Sequence, residues 1–214
     1  MAKRALAPWS RTAAACSRDT DLRRSQSGTP PRGSGIMTDR TPPVWAAIAR
    51  KRAIRAFTSE PLAPGHLDRI LRAGRHAPSS KNRQRWTFVV CRNRKHLQEL
   101  STLGPFAGHV AGAAVAVALV TPVPPPEDNG RSILFDLGLA AENMMLAAWE
   151  LGIGSVPATV YEHDLARQLL GLPDDQSCEY LLSFGYPADP DDLVRPAKVG
   201  GRLPLDTMVR EERW

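Results

Sequence analysis

Two short stretches concentrate the residues of this 214-residue chain that could bind or polarise a ligand. In the run Lys51-Arg52-Ala53-Ile54-Arg55-Ala56-Phe57, three cations fall within five positions. If they converge on one face they form a phosphate or carboxylate site, because ammonium and guanidinium groups hold such anions through charge-assisted hydrogen bonds. The second stretch, Ala77-Pro78-Ser79-Ser80-Lys81-Asn82-Arg83-Gln84-Arg85-Trp86, is a polar turn that runs into the apolar Thr87-Phe88-Val89-Val90.

Hydrophobic periodicity supplies the elements that must position these stretches. Residues 44–53, with Val44, Ile48 and several alanines, suit a short helix whose carboxy end carries the cations. Pro64 opens a second helix with Leu67, Ile70 and Leu71 on one face, and Pro78 ends it. Residues 86–92 read as a strand and 95–101 as a short polar helix. The almost unbroken apolar run 113–121 reads as a strand covered on both faces. The proline-rich residues 121–130 are a loop by composition. Residues 132–151 are apolar nearly all round except at Asp136, Glu142, Asn143 and Glu150, so this helix must be buried on most sides, at the centre of the domain or of a dimer. Gly152 breaks it; 155–160 read as a strand, 161–170 as an amphipathic helix capped by Gly171, 179–186 as another strand, and 187–214 as an arm. The expectation is one α+β domain over residues 37–214.

Composition narrows the function classes. Most of the formal net charge of +6 sits in residues 1–36, where Lys3, Arg4, Arg11, Arg18, Arg23, Arg24 and Arg32 face only Asp19 and Asp21. The remainder is nearly neutral and carries no basic stripe, which argues against nucleic-acid binding. Residues 1–36 are rich in Arg, Ser, Ala, Pro and Gly and lack a hydrophobic period or a secretory apolar core. A disordered basic extension ahead of Met37 is expected, although an organelle transit peptide has similar composition. Cys16, Cys91 and Cys178 form no C-x-x-C pair and fit a reducing, cytoplasmic setting; Cys91 and Cys178 read as small buried hydrophobes. No apolar run approaches the roughly 18 residues of a membrane span.

Several chemistries lack their parts. The chain has no G-x-S-x-G elbow and no H-E-x-x-H pair, and its five histidines are not spaced as metal ligands, so each reads as a surface or capping residue and no metal is expected. Gly152-Ile153-Gly154 follows a helix rather than a strand, which removes the dinucleotide fingerprint of a Rossmann domain.

Together the two polar stretches resemble the FMN-dependent nitroreductase family, whose motifs usually read Arg-Arg-Ser-x-Arg-x-Phe and Ala-Pro-Ser-x-x-Asn-x-Gln-Pro-Trp. A third match is the run Gly200-Gly201-Arg202-Leu203-Pro204-Leu205-Asp206, and the resemblance spans about residues 45–214. It implies a mostly antiparallel central sheet flanked by helices and an obligate homodimer with FMN at the interface. It also implies an enzyme that passes hydride from NAD(P)H through FMN to a small electron-poor acceptor such as a nitroaromatic or quinone. By the same resemblance Lys51 and Arg52 hold the phosphate and ribityl chain, and Ala53 replaces a serine hydroxyl. Arg55 sits by the N1 and O2 edge of the ring, where a fixed positive charge favours the reduced form. Pro78, Ser79 and Ser80 match the turn reaching the neighbouring subunit's flavin, and Asn82 and Gln84 match polar contacts to ring and ribityl. Pro157, Ala158 and Thr159 match the strand end whose N–H faces N5, and Gly200, Gly201 and Arg202 match the phosphate-side tail. Arg85 replaces a proline and either adds a cation for the pyridine nucleotide or points into solvent. A flavin-destroying or dehalogenating relative and a non-catalytic flavin or nucleotide binder are the alternative readings.

Overall fold

Four apolar runs pair into one antiparallel sheet in the computed structural model, which describes residues 43–125, 130–196 and 201–214. β1 (Thr87–Cys91), β2 (Val115–Pro122), β3 (Gly154–Thr159) and β4 (Gln176–Gly185) lie in the order β1-β2-β4-β3. β2 takes a central place because it is apolar on both faces and buried along nearly all its length. Thr87 opposite Val120 fixes the β1–β2 register, and Ala158 opposite Leu181 the β3–β4 register. Residues 41–214 form one compact unit, whereas residues 1–36 and the proposed boundary at Met37 lie outside the described residues.

Alternation along the strands sends side chains into two cores. On one face Cys91, Ala116, Ala118, Ala158, Cys178 and Leu181 pack against Leu97 and Leu100 of α3 (Arg94–Leu100) and Ala166 of α5 (His163–Leu170). On the other, Val117, Leu119, Leu182 and Phe184 meet Ile70 of α2 (His66–Arg75) and Leu137, Met144 and Met145 of α4 (Arg131–Glu150). α2 and α4 approach so closely at Gly74 that a Cβ there would overlap the Met144 side chain. Burial pushes the Cys91 thiol up to about 11 and the Cys178 thiol, with help from Glu179, up to about 12, so both behave as apolar filling. Cys16 and residues 126–129 of the proline-rich loop lie outside the described residues.

Two expectations need correction. The first helix, α1 (Pro43–Arg50), carries Arg50 in its last turn but stops before Lys51, Arg52 and Arg55. The competing interaction is a β-bridge: Ala53 pairs in parallel with Ser155, and the Ile54 N–H donates to the Ser155 carbonyl at 3.1 Å, which pulls the chain into an extended path along the edge of β3. The second concerns α4, which does not lie at the centre of the single domain, the first of its two expected places, because one chain leaves part of it uncovered. The sheet and α2 cover one flank of this helix of about 30 Å, while Leu134 and Phe135 stay 43% and 70% exposed. Val44, Trp45 and Ile48 of α1 are exposed as well, and Val44, Ala46 and Ala47 line an apolar groove with Leu146, Ala147 and Trp149 of α4. Among the described residues no further element covers this surface.

Candidate functional site

The extended path of residues 51–55 sets the three cations beside the free edge of the sheet. Lys51 is held by α4, its ammonium 3.7 Å from Glu142 and its side chain mostly buried. Arg52 folds back on the end of α1, donating from Nη1 to the carbonyls of Ala49 and Lys51 at 2.8 and 2.9 Å. Its Nε is shut from solvent and bonded to nothing. Arg55 is exposed and makes no hydrogen bond or ion pair with the described residues. Arg52 to Ala56 line a cavity of about 420 Å³ together with Asp192, Arg195 and Pro196.

Arg195 is a cation that motif reading passes over. It bonds Asp189 and lies 3.0 Å from Asp192, and its segment is tied to α4 by the Trp149 indole N–H, which donates to the Leu193 carbonyl at 3.0 Å. The two aspartates raise the Arg195 guanidinium still further above its already high range. No short motif marks it in the sequence; only the sheet end brings it to Arg52 and Arg55.

Edge geometry selects one backbone donor from the expected Pro157, Ala158 and Thr159. Val160 N–H donates to Glu179 across the ladder, while the Ser155 carbonyl accepts from Ile54 on the outer side. Antiparallel alternation therefore turns Ser155, Pro157 and Thr159 outward and Val156 and Ala158 toward β4. Pro157 has no N–H to offer, so the exposed Thr159 presents the outward N–H of this stretch. Gly104 packs against it so closely that a Cβ would meet the Thr159 carbonyl at 2.8 Å, which makes glycine a steric requirement of this wall.

The second polar stretch forms a separate surface. After α2, Ser80–Asn82 makes one 3-10 turn, and Lys81, Asn82 and Gln84 adopt φ of 52°, 53° and 49°. Non-glycine residues in this left-handed region are strained, so the surroundings must hold them. Gln84 N–H donates to Ser79 Oγ at 2.9 Å and its side-chain amide to Asn82 Oδ1 at 3.0 Å. The anchor is Asp136, 4% exposed in the middle of α4, whose two carboxylate oxygens accept from the Ser80 N–H at 3.1 and 3.0 Å. Its only sequence signal was an acid isolated in an apolar helical pattern. Asp136→Ala should lower the melting temperature by roughly 4–8 °C, since a lost hydrogen bond to a buried charge costs about 2 kcal/mol. An unchanged melting temperature would show that the turn holds itself.

Arg85 does not point into solvent: its guanidinium donates to Ser132 Oγ at 2.8 Å on the first turn of α4. The turn, Ser132, Phe135, Asp136 and Leu139 line a cavity of about 580 Å³ that shares no residue with the cavity at Arg55. Within one chain the two stretches are thus not brought together. Gly201 and Arg202 lie on exposed chain with no contact to either cavity, and Gly200 is outside the described residues. His109, expected at the surface or as a cap, is half-buried instead and bonds Ser183 of β4 through Nδ1 at 2.8 Å.

Comparison with known proteins gives the same frame. The nitroreductase family model matches residues 48–105 and 105–186. A protein of Archaeoglobus fulgidus with the provisional name NADH dehydrogenase/NAD(P)H nitroreductase is 32% identical over 171 residues, covering 78% of this chain and 96% of its own. FMN reductase (NAD(P)H) of Bacillus subtilis is 29% identical over 190 residues, covering 80% and 74%. The crystal structure of nitroreductase A from Vibrio parahaemolyticus superposes with a TM-score of 0.69 at 26% identity, over 82% of this chain and 77% of that one.

Proposed function

Because the chain belongs to the nitroreductase family, with its α+β fold, we propose that it is an FMN-dependent NAD(P)H oxidoreductase acting on small electron-poor acceptors such as nitroaromatics or quinones. The carrying observation is the uncommitted Arg55 at the mouth of a three-arginine cavity beside an open strand edge. That cavity fits the phosphate end of FMN, because the Arg52 Nε is a buried donor without an acceptor and an anion would supply one.

Bound FMN would supply two-electron acceptance from a nicotinamide and two-electron donation to a second substrate. The chain's own residues do the rest. Arg52 and Arg195 offer donors to the phosphate, with Lys51 held nearby and Arg202 as a further cation once the tail is seated. Arg55 keeps a fixed positive charge where negative charge develops, and a charge already in place needs no reorganisation during reaction. Thr159 N–H offers one directed hydrogen bond from a rigid strand. No side chain is assigned as general acid, since solvent can protonate the product.

The site is completed by a second copy in this reading. Pro78, Ser79 and Ser80, in the turn that also carries Asn82 and Gln84, and the cations at Arg52 and Arg55 line different cavities, and Phe135 leaves apolar surface open beside the turn. An isologous homodimer would cover that surface and bring one copy's turn to the other's cations. Initial rates of NADPH oxidation at varied quinone concentration test the activity. Parallel double-reciprocal lines are expected for two substrates that use one cleft in turn; absence of turnover with FMN present would overturn the proposal.

A further inference from the structure

Two large aromatic side chains stand out of the fold beside the outward Thr159 N–H and belong to neither core. Phe106 is 72% exposed and Tyr161 55%. Their placement follows from two anchors, Leu103 and Ala107, both fully buried. Between the anchors, Gly104-Pro105-Phe106-Ala107 makes a tight turn in which the Ala107 N–H donates to the Gly104 carbonyl at 3.1 Å. Proline at its second position presets φ there and leaves Phe106 at the tip. The turn is stitched to the end of β3, because the Leu103 carbonyl accepts from the N–H groups of Tyr161 and Glu162 at 2.8 and 3.2 Å. A Cβ added at Gly104 would lie 2.8 Å from the Thr159 carbonyl and 2.9 Å from Cδ2 of the Tyr161 ring. Phe106, Tyr161 and Thr159 therefore share one patch. Neither ring stacks on another aromatic among the described residues, so packing within the chain does not account for them.

We propose that Phe106 and Tyr161 are specificity-determining residues, two rings that receive the flat face of the electron acceptor. The open edge of β3 runs from Ser155, beside the cations, to Thr159, beside these rings; four residues at about 3.3 Å each make this roughly 13 Å. Ala53 pairs in parallel with Ser155, so the cation segment runs in the same direction along that edge. One end of the track suits an anionic tail and the other a flat apolar ring. Residues 103–107 and 159–161 carry no charge, and the adjacent Glu162 is acidic, which disfavours an anion at the ring end. Aromatic faces attract electron-poor rings in offset or edge-to-face arrangements, and a compact ion without a flat face gains nothing from them. The patch therefore selects planar, uncharged, electron-poor rings over compact anionic oxidants. Both residues act by binding and exchange neither electrons nor protons.

This inference rests on the proposed function in taking the bound ring to be the acceptor's. Its test compares the unmutated chain with Phe106→Ala, Tyr161→Ala, Phe106→Tyr and Tyr161→Phe, each checked for fold by circular dichroism. The first arm titrates nitrobenzene into the oxidised, NADPH-free protein and reads the dissociation constant by ligand-observed NMR. The second measures KM and kcat at saturating NADPH for 2-methyl-1,4-naphthoquinone and for ferricyanide, an octahedral anion. Each alanine variant is expected to weaken nitrobenzene binding and raise the quinone KM roughly five- to tenfold, with quinone kcat and ferricyanide turnover little changed. The two conservative variants are expected to keep the unmutated values. Folded alanine variants with unchanged nitrobenzene binding and quinone KM would overturn the proposal. So would a Phe106→Ala protein that stays folded but no longer dimerises, since the ring would then belong to the subunit interface. Absence of turnover with both oxidants defeats the functional reading, while the nitrobenzene titration still decides whether these rings hold a flat ligand.

Discussion

Met145→Glu is expected to unfold the chain, while Phe135→Glu, ten residues earlier on α4, is expected to leave the fold intact but to split the proposed homodimer and release its FMN. Met145 is 6% exposed within the core shared by β2, β4 and α2, where an unpaired carboxylate costs several kcal/mol, a large part of the stability of a domain this size. Phe135 is 70% exposed and lines the cavity at the Pro78–Ser80 turn, so a carboxylate there stays in water in the isolated chain and is buried only in the proposed dimer. Circular dichroism with light scattering separates the two. A folded Met145→Glu protein would refute the core placement, and a Phe135→Glu protein that remains dimeric and retains FMN would refute the proposed interface.

Arg55→Gln is expected to retain much of the FMN but to slow its reduction by NADPH on the order of 10²-fold, the usual effect of removing one preorganised electrostatic contact. The residues lining its cavity still include Arg52 and Arg195, so phosphate binding does not rest on Arg55 alone. Stopped-flow absorbance under anaerobic conditions reads the effect. Unchanged reduction rates would remove Arg55 from the role, and loss of all flavin binding would move it from the ring to the phosphate.

Much of the fold was legible because period and composition agree. The apolar run through β2 announces a strand covered on both faces, and Gly171 with φ of 63° caps α5 as the sequence suggests. The end of α1 was not legible, because the bridge from Ala53 to Ser155 is a contact between residues a hundred positions apart that no local signal carries. The same limit hid Arg195 and His109, whose meaning depends on neighbours across the sheet end. Arg85 shows the converse: the substitution was visible, but the Ser132 hydroxyl that receives its guanidinium was not. Asp136 stood out as an acid in an apolar helix, yet its charge could be interpreted only once the Ser80 N–H was seen against it.

The central claim is that the cations of residues 51–55 serve a flavin that NAD(P)H can reduce. Its most direct test is the visible absorption spectrum of the full chain, reconstituted with FMN and freed of excess, recorded anaerobically before and after one equivalent of NADPH per site. The account predicts a retained flavin band that bleaches on addition and returns when a quinone is admitted. A protein that holds no flavin after reconstitution, or whose flavin band is unmoved by both NADPH and NADH, would contradict it.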